Sequence, residues 1–393
     1  ANPTPITTDT AQITPLVLHE FSTPTEAPRC NRITVDPTPG PEVPSLFPRV
    51  SDLDYTSGPA DAPVTLLVYT DFQCPVCDEY ETLFSRLRQE HPTDLRFVFR
   101  PYPQLATYDK SGLAAQAAEA AAKQGKFWEM YNLLFGRNAE WVELSPEAFE
   151  SWLVSQASAL GLDVARFSAD LKSDAVLDKV LAAYDFGRKN GLVVPLVLIN
   201  GQIVNPPFNH YTLDQTVRLI ALGERQFKDC PAWVIESGKQ YLATLRTAKG
   251  DVVIQLFADL APNTVNNFVF LARQGWYDNI TFHRVIPGSV VQSGDPSGTG
   301  LGNPGYLINT EIVPTLKFDR LGMVGMTSPA QDANGSQFFI TLQPTPQLDG
   351  QYTVFGQVIS GLDVLQSLSP RDPQFGVDTP PGDALLSVTI TER

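Results

Sequence analysis

Two cysteines separated by two residues, Cys74 and Cys77 in "DFQCPVC", are the first side chains in this sequence whose type and spacing suggest chemistry. They follow the apolar run "VTLLVYTDF" and open "VCDEYETLFSRLRQEH", where Tyr80, Leu83, Phe84 and Leu87 recur at helical spacing. A thiol reacts as its thiolate, and at a helix N-terminus the dipole and the unpaired backbone N–H groups stabilise that anion. Cys74 is therefore the expected nucleophile. Cys77, one turn further in, is the expected resolving thiol that attacks the mixed disulfide. A zinc site would need two more ligands, but the remaining cysteines are solitary and the four histidines scattered, so no metal and no cofactor is expected. The plainer alternative is a purely structural bridge.

The elements that must position this pair come from a chain of 393 residues, long enough for two globular units. No run of about 18 apolar residues occurs, so no transmembrane span is expected. A formal charge of -15 would repel phosphate, which argues against nucleic acid or an anionic membrane face as partner. Residues 1–50 are rich in Pro and Thr and read as an extended leader. The opening "ANPTPITTDTAQITP" has no charged or apolar signal region, so a secretory signal or lipid anchor is expected to be absent or already removed. From Val64 a buried-type strand, the CxxC helix and a second strand "LRFVFRPYP" are followed by a long helical stretch. Two strand runs around Asn200-Gly201 and the amphipathic "TLDQTVRLIALGE" come next.

That order, with "DFQCPVC" and "GLVVPLVLINGQ", resembles the DsbA-like branch of the thioredoxin superfamily over 51–227. The resemblance implies an α/β thioredoxin fold with a helical insertion, a cis-proline at Pro195 opposite the cysteines, and substrate pairing along that edge. A structural bridge alone would not explain the Val194-Pro195 element. The dipeptide Pro75-Val76 offers the thiolate neither a hydrogen bond nor a positive charge, so a mild oxidant is expected. Of the three pairings open to four cysteines, the one that preserves the CxxC joins Cys30 to Cys230, with two free thiols as the competing reading.

After a linker at 228–239 the character changes to short strands, "YLATLRTAKGDVVIQLF", one helix, "NTVNNFVFLARQG", and many turns, which suggests an all-β closed barrel with flanking helices. Here "TFHRVIPGSVVQSGDPSGTGLGNPGY", "ANGSQFFIT" and "QLDGQYTVFGQV" resemble the signature segments of the cyclophilin prolyl isomerases, over 240–393. The resemblance implies that Arg284 is catalytic, donating hydrogen bonds that favour a pyramidal prolyl nitrogen, and that Gln292 holds Arg284 and the substrate carbonyl. It implies Phe339 as the floor of a proline pocket and Gln337 as a polar rim contact. Val290, Leu348 and Tyr352 would line the wall, and Met326, Thr327 and Ser328 would present a backbone edge to the peptide. Two positions depart from the family pattern: Ser289 stands where an aromatic usually lines the pocket, and Gln347 where many members have Trp.

Thiol exchange and Xaa-Pro rotation are two slow steps of folding outside the cytoplasm. The expectation is an extracytoplasmic folding factor, secreted, periplasmic or anchored at the surface. Its partners would be unfolded or partly folded exported proteins with cysteines and Xaa-Pro bonds, and a redox partner that the sequence does not identify. Two alternatives stand beside it: a barrel that mainly binds Pro-containing segments for the redox unit, and an intracellular redox regulator.

Overall fold

The computed structural model describes residues 30–33, 47–328, 333–373 and 381–393, so most of the expected leader lies outside the described residues. The chain divides into two compact units, one of residues 36–221 and one of 1–35 together with 222–393.

In the unit 36–221, the parallel strands Val64–Thr70 and Leu95–Pro101 lie at the centre of a five-stranded sheet. Tyr55–Ser57 adds antiparallel on one side, and Leu196–Ile199 followed by Gln202–Val204 on the other. The central strands are buried nearly throughout because both faces are covered, which is why their sequences are continuous apolar runs rather than alternating ones. Phe72, Phe84, Phe97, Phe99 and Tyr131 pack into one core with helix Ser111–Ala122, whose alanines let it approach closely. The helical stretch that the sequence shows as one region is six helices between 111 and 189. Two of its restarts are side-chain caps: Ser145 accepts from the Ala148 N–H at 3.2 Å, and Asp163 from the Arg166 N–H at 3.0 Å. Phe47 and Val50, at the end of the expected leader, pack beside Leu67 and Tyr69 of this unit.

The other unit is built on a curled nine-stranded antiparallel sheet. In spatial order its strands are Arg284–Ile286, Val290–Ser293, Phe338–Thr341, Met323–Met326, Val354–Ser360, Gly250–Leu256, Tyr241–Thr247, Ala384–Glu392 and Ile280–Thr281. The two edge strands are joined through 282–283, so the sheet curls into a half-barrel with no hydrogen-bonded ladder between its first and last strands among the described residues. Tyr241–Thr247 alternates buried and accessible positions, with Tyr241, Ala243 and Leu245 facing the core. Helix Pro262–Arg273 packs on this core, and its N-terminus is capped from a distance. The Glu311 carboxylate accepts from the Asn263 N–H at 3.1 Å and the Thr264 N–H at 2.6 Å.

Cys30 and Cys230 both lie in this second unit, where the structure bonds their sulfurs with Cα atoms 5.7 Å apart. Strand Cys30–Arg32 pairs antiparallel with Tyr306–Ile308. The leader thus contributes a strand to the C-terminal unit, and the chain of the five-stranded sheet is an insertion between two parts of the other unit. Cys230 falls in the expected linker at 228–239 but stands inside that unit, which resumes at Leu222.

Candidate active sites

Strand Val64–Thr70 ends beside the start of Leu196–Ile199, with Tyr69 opposite Leu196. Because Tyr69 faces Leu196, Pro195 and the loop leading to Cys74 leave the same end of the sheet, and the Val194–Pro195 peptide is cis. Cys74 is the N-cap of helix Pro75–Glu90, and its Sγ accepts from the Cys77 N–H at 3.2 Å. This is the arrangement that stabilises negative charge on the first sulfur. The structure bonds the two sulfurs, with Cα atoms 5.2 Å apart. Both are buried, Cys74 5% and Cys77 1% exposed, while Val76 between them is 50% exposed. Both sulfurs are thus covered in the disulfide state.

The loop before the pair is pinned by groups that periodicity does not reveal. The buried Asp71 carboxylate accepts from the Gln73 N–H at 2.7 Å, the Gln104 N–H at 2.5 Å and the Ser111 hydroxyl. Burial pushes the Asp71 carboxyl up, against the pull of those hydrogen bonds. Gln73 bonds Asp109 at 2.8 Å and the Lys110 N–H at 2.7 Å, so 71–74 is held to 104–111 at several points. Under the same helix, Glu81 pairs with Arg88 at 2.5 Å and with the Tyr131 hydroxyl, and Arg88 lies 4.4 Å from the Phe97 ring centroid. Burial raises the Glu81 carboxyl while Arg88 opposes it.

In the other unit the strand register makes a second site. Arg284 is opposite Gln292, Gln292 opposite Phe339, and Phe339 opposite Gly325, so one row crosses four strands on one face of the sheet. The next row, Val285, Val291, Ile340 and Val324, is buried in the main core. Phe339 belongs to a separate apolar cluster with Phe257, Phe318, Met323 and Val354, flanked by Val290, Leu348 and Tyr352. Phe318 stacks on Phe339 at 5.2 Å and Tyr352 meets it edge-on at 5.5 Å. The row thus runs from a guanidinium to an aromatic-floored apolar patch.

Residues 242–389 match the family described as cyclophilin type peptidyl-prolyl cis-trans isomerase/CLD, and residues 51–219 match a thioredoxin family. The peptidyl-prolyl cis-trans isomerase-like 1 of Gibberella zeae is 46% identical over 127 residues, 32% of this chain and 78% of that protein. The chain belongs to the cyclophilin family. A Helicobacter pylori peptidyl-prolyl cis-trans isomerase is 42% identical over 139 residues, 35% of this chain and 85% of that protein. A cyclophilin structure from Cryptosporidium parvum, solved in the presence of the dipeptide Ala-Pro, is 35% identical, with a TM-score of 0.35. It covers 38% of this chain and 98% of its own.

In this cyclophilin domain Gln292 does not reach Arg284: its amide donates to Gln337 Oε1 at 3.1 Å, and Gln337 donates to the Gly300 and Gly302 carbonyls at 3.0 and 2.9 Å. The two amides form a relay, and Gln337 is a strut of the rim. Met326 is fully buried in the main core, so it can offer only backbone, and its N–H already donates to the Thr353 carbonyl at 3.0 Å. The Thr327 N–H is bonded to the Gln337 carbonyl at 2.9 Å, and Ser328 donates to the Ala333 carbonyl at 2.9 Å. Ser289 ends the turn after Arg284–Ile286, with its N–H on the Ile286 carbonyl at 3.0 Å. Gln347 is exposed, and its carbonyl accepts from Gln351 at 2.7 Å. Phe318 and Phe257 stand outside the signature segments and join Phe339 only in three dimensions, so no local motif points to them.

Among the described residues one group has the spacing of metal ligands, Glu90, His91 and Asp214 in the thioredoxin-like domain. Its carboxylates are already engaged: Arg86 pairs with Glu90 at 2.9 Å, Arg218 with Asp214 at 2.9 Å, and His91 with Asp214 at 2.7 Å. Burial pushes Asp214 up, but the hydrogen bonds from His91 and Arg218 hold it down to about 2. The group ties the end of helix Pro75–Glu90 to helix His210–Leu222.

Proposed function

We propose that the chain is an extracytoplasmic folding factor that rotates Xaa-Pro bonds at Arg284 and exchanges disulfides at Cys74 and Cys77. The observation that carries the isomerase half is the cross-strand row joining Arg284, Gln292 and Phe339 beside the Phe318, Leu348 and Tyr352 surface. Rotation must break amide resonance, a barrier of about 18–20 kcal/mol. A catalyst lowers that barrier only by binding the twisted amide better than the planar one. The proline ring rests on Phe339, and an Arg284 N–H donates to the prolyl nitrogen once its lone pair is released from resonance.

The thioredoxin-like half works through Cys74. Its thiolate attacks one sulfur of a client disulfide and expels the other as thiolate. Cys77 then attacks Cys74, releasing the reduced client and leaving the Cys74–Cys77 disulfide. The reverse sequence oxidises a client dithiol. A redox partner that restores the pair is part of this reading. An oxidising compartment is favoured because the four cysteines pair completely, Cys30 with Cys230 and Cys74 with Cys77. Clients are unfolded or partly folded exported chains carrying both cysteines and Xaa-Pro bonds.

The test uses the full chain in two assays, NMR exchange on an Ala-Pro peptide and reduction of a disulfide peptide by the dithiol form. Arg284→Ala should lose isomerisation and keep thiol exchange, and Cys74→Ser the opposite. Ser289, which supplies no aromatic surface, favours a second reading in which the barrel mainly binds Pro-containing segments. Isomerisation that is unaffected by Arg284→Ala would replace the catalytic reading with that one.

A further inference from the structure

Strand Arg284–Ile286 is at the edge of the nine-stranded sheet, and its free side is used by a segment far along the chain. The Val285 N–H donates to the Arg371 carbonyl at 2.6 Å and the Arg371 N–H to the Val285 carbonyl at 2.9 Å, a single antiparallel bridge. The Arg371 guanidinium adds a hydrogen bond to the His283 carbonyl. Three contacts thus fix residue 371 against 283–285. The next residue, Asp372, brings its carboxylate to 3.5 Å from Arg284 Nη2, with the aspartate side chain 11% exposed and the arginine 33%.

Gln292, opposite Arg284 in the register, spends its amide on Gln337. Among the described residues the side-chain partner of the Arg284 guanidinium is therefore Asp372. The Arg284 Nε is buried and has no hydrogen-bond partner among those residues. Nη2 is tethered to Asp372, while Nη1 is neither buried nor hydrogen-bonded among those residues and is the N–H left to donate.

We infer that Asp372 is a positioning residue for isomerisation. It fixes the plane of the Arg284 guanidinium so that its unpartnered N–H is aimed before substrate arrives. An untethered arginine has several rotatable bonds to order at the moment of reaction, and holding it beforehand removes that cost from the transition state. The inference rests on Arg284 being the catalytic arginine of the reading above. A residue that acts only through Arg284 should, when lost, lower kcat and leave KM nearly unchanged.

The experiment is NMR exchange on an Ala-Pro peptide, with the full chain as wild type, Asp372→Ala, Asp372→Asn, Asp372→Glu and Arg284→Ala. Expected are kcat values about tenfold lower for Asp372→Ala and Asp372→Asn, KM within about twofold, and recovery of most of kcat in Asp372→Glu. Thermal unfolding identifies a variant that fails to fold, in which case the nearly isosteric Asp372→Asn decides. Asp372→Asn at wild-type kcat overturns the inference, and so does a higher kcat, which would make Asp372 a competitor for the guanidinium. A wild-type chain without isomerase activity, or one indifferent to Arg284→Ala, removes the underlying reading instead. That outcome is distinct from an active, Arg284-dependent chain with indifferent Asp372 variants.

Discussion

Replacing both Cys30 and Cys230 by alanine should destabilise the cyclophilin domain by an amount that reports whether the inserted thioredoxin-like domain stays folded. The bridge spans 200 residues, which in the chain-entropy treatment corresponds to about 5 kcal/mol. That value applies only if everything between the cysteines unfolds together. Residues 36–221 form their own unit, so if that unit remains folded the flexible part of the loop is only about 15 residues and the contribution falls to about 3 kcal/mol. Without the bridge, strand Cys30–Arg32 keeps its three-residue pairing with Tyr306–Ile308, the Ile33 N–H bond to the Gly305 carbonyl at 3.0 Å and the Arg32 bond to the Lys228 carbonyl at 3.3 Å. The assay is hydrogen exchange read peptide by peptide along a urea series, for wild type and the double variant under oxidising conditions. Peptides from 241–256 and 338–360 should lose about 3 kcal/mol of protection, with peptides from 64–101 unchanged. A loss of about 5 kcal/mol shared by both sets would mean that the domains unfold as one. A loss below about 1 kcal/mol would refute the reasoning, since the bridge would then not constrain the unfolded chain at all.

After reduction, Cys74 should be the first cysteine alkylated near neutral pH, because it caps the helix and its sulfur takes the Cys77 N–H; mass mapping that finds Cys77 or Cys230 labelled first reverses the assignment. A Cβ at Gly325 would lie 2.7 Å from both Phe318 Cζ and Phe339 Cζ. Gly325→Ala should therefore cost about 1–3 kcal/mol in urea unfolding and raise KM for Xaa-Pro peptides. An unchanged KM would separate Phe339 from the binding surface. Burial, aided by Arg371 and Arg284 and opposed by Asp295, holds His283 down to about 4, and neither ring nitrogen has a partner among the described residues. The unfolded chain binds a proton near pH 6.5 that the folded one refuses, so this contribution is whole above that pH and is lost as pH falls from 6.5 towards 4. Urea midpoints across that window should fall for wild type and fall less for His283→Gln; parallel curves would contradict the assignment.

The CPVC pair, its helix and the Val194-Pro195 segment are legible because each depends on neighbours within a turn or two: apolar runs, helical spacing and a proline. The three cyclophilin segments are legible for a similar reason, since each is short and ordered, and together they name Arg284, Gln292 and Phe339. Only the tertiary structure puts these three in one row, because register depends on turns and partner strands and a one-residue slip would turn every side chain to the other face. Only it diverts Gln292 to Gln337 and delivers Asp372 to Arg284 across 88 residues. The sequence marks Cys30 and Cys230 as solitary and leaves their pairing open. That the leader's strand belongs to the far domain, with a whole unit inserted between, was decided by contacts 200 residues apart, and no local pattern of charge or hydrophobicity encodes a contact of that range.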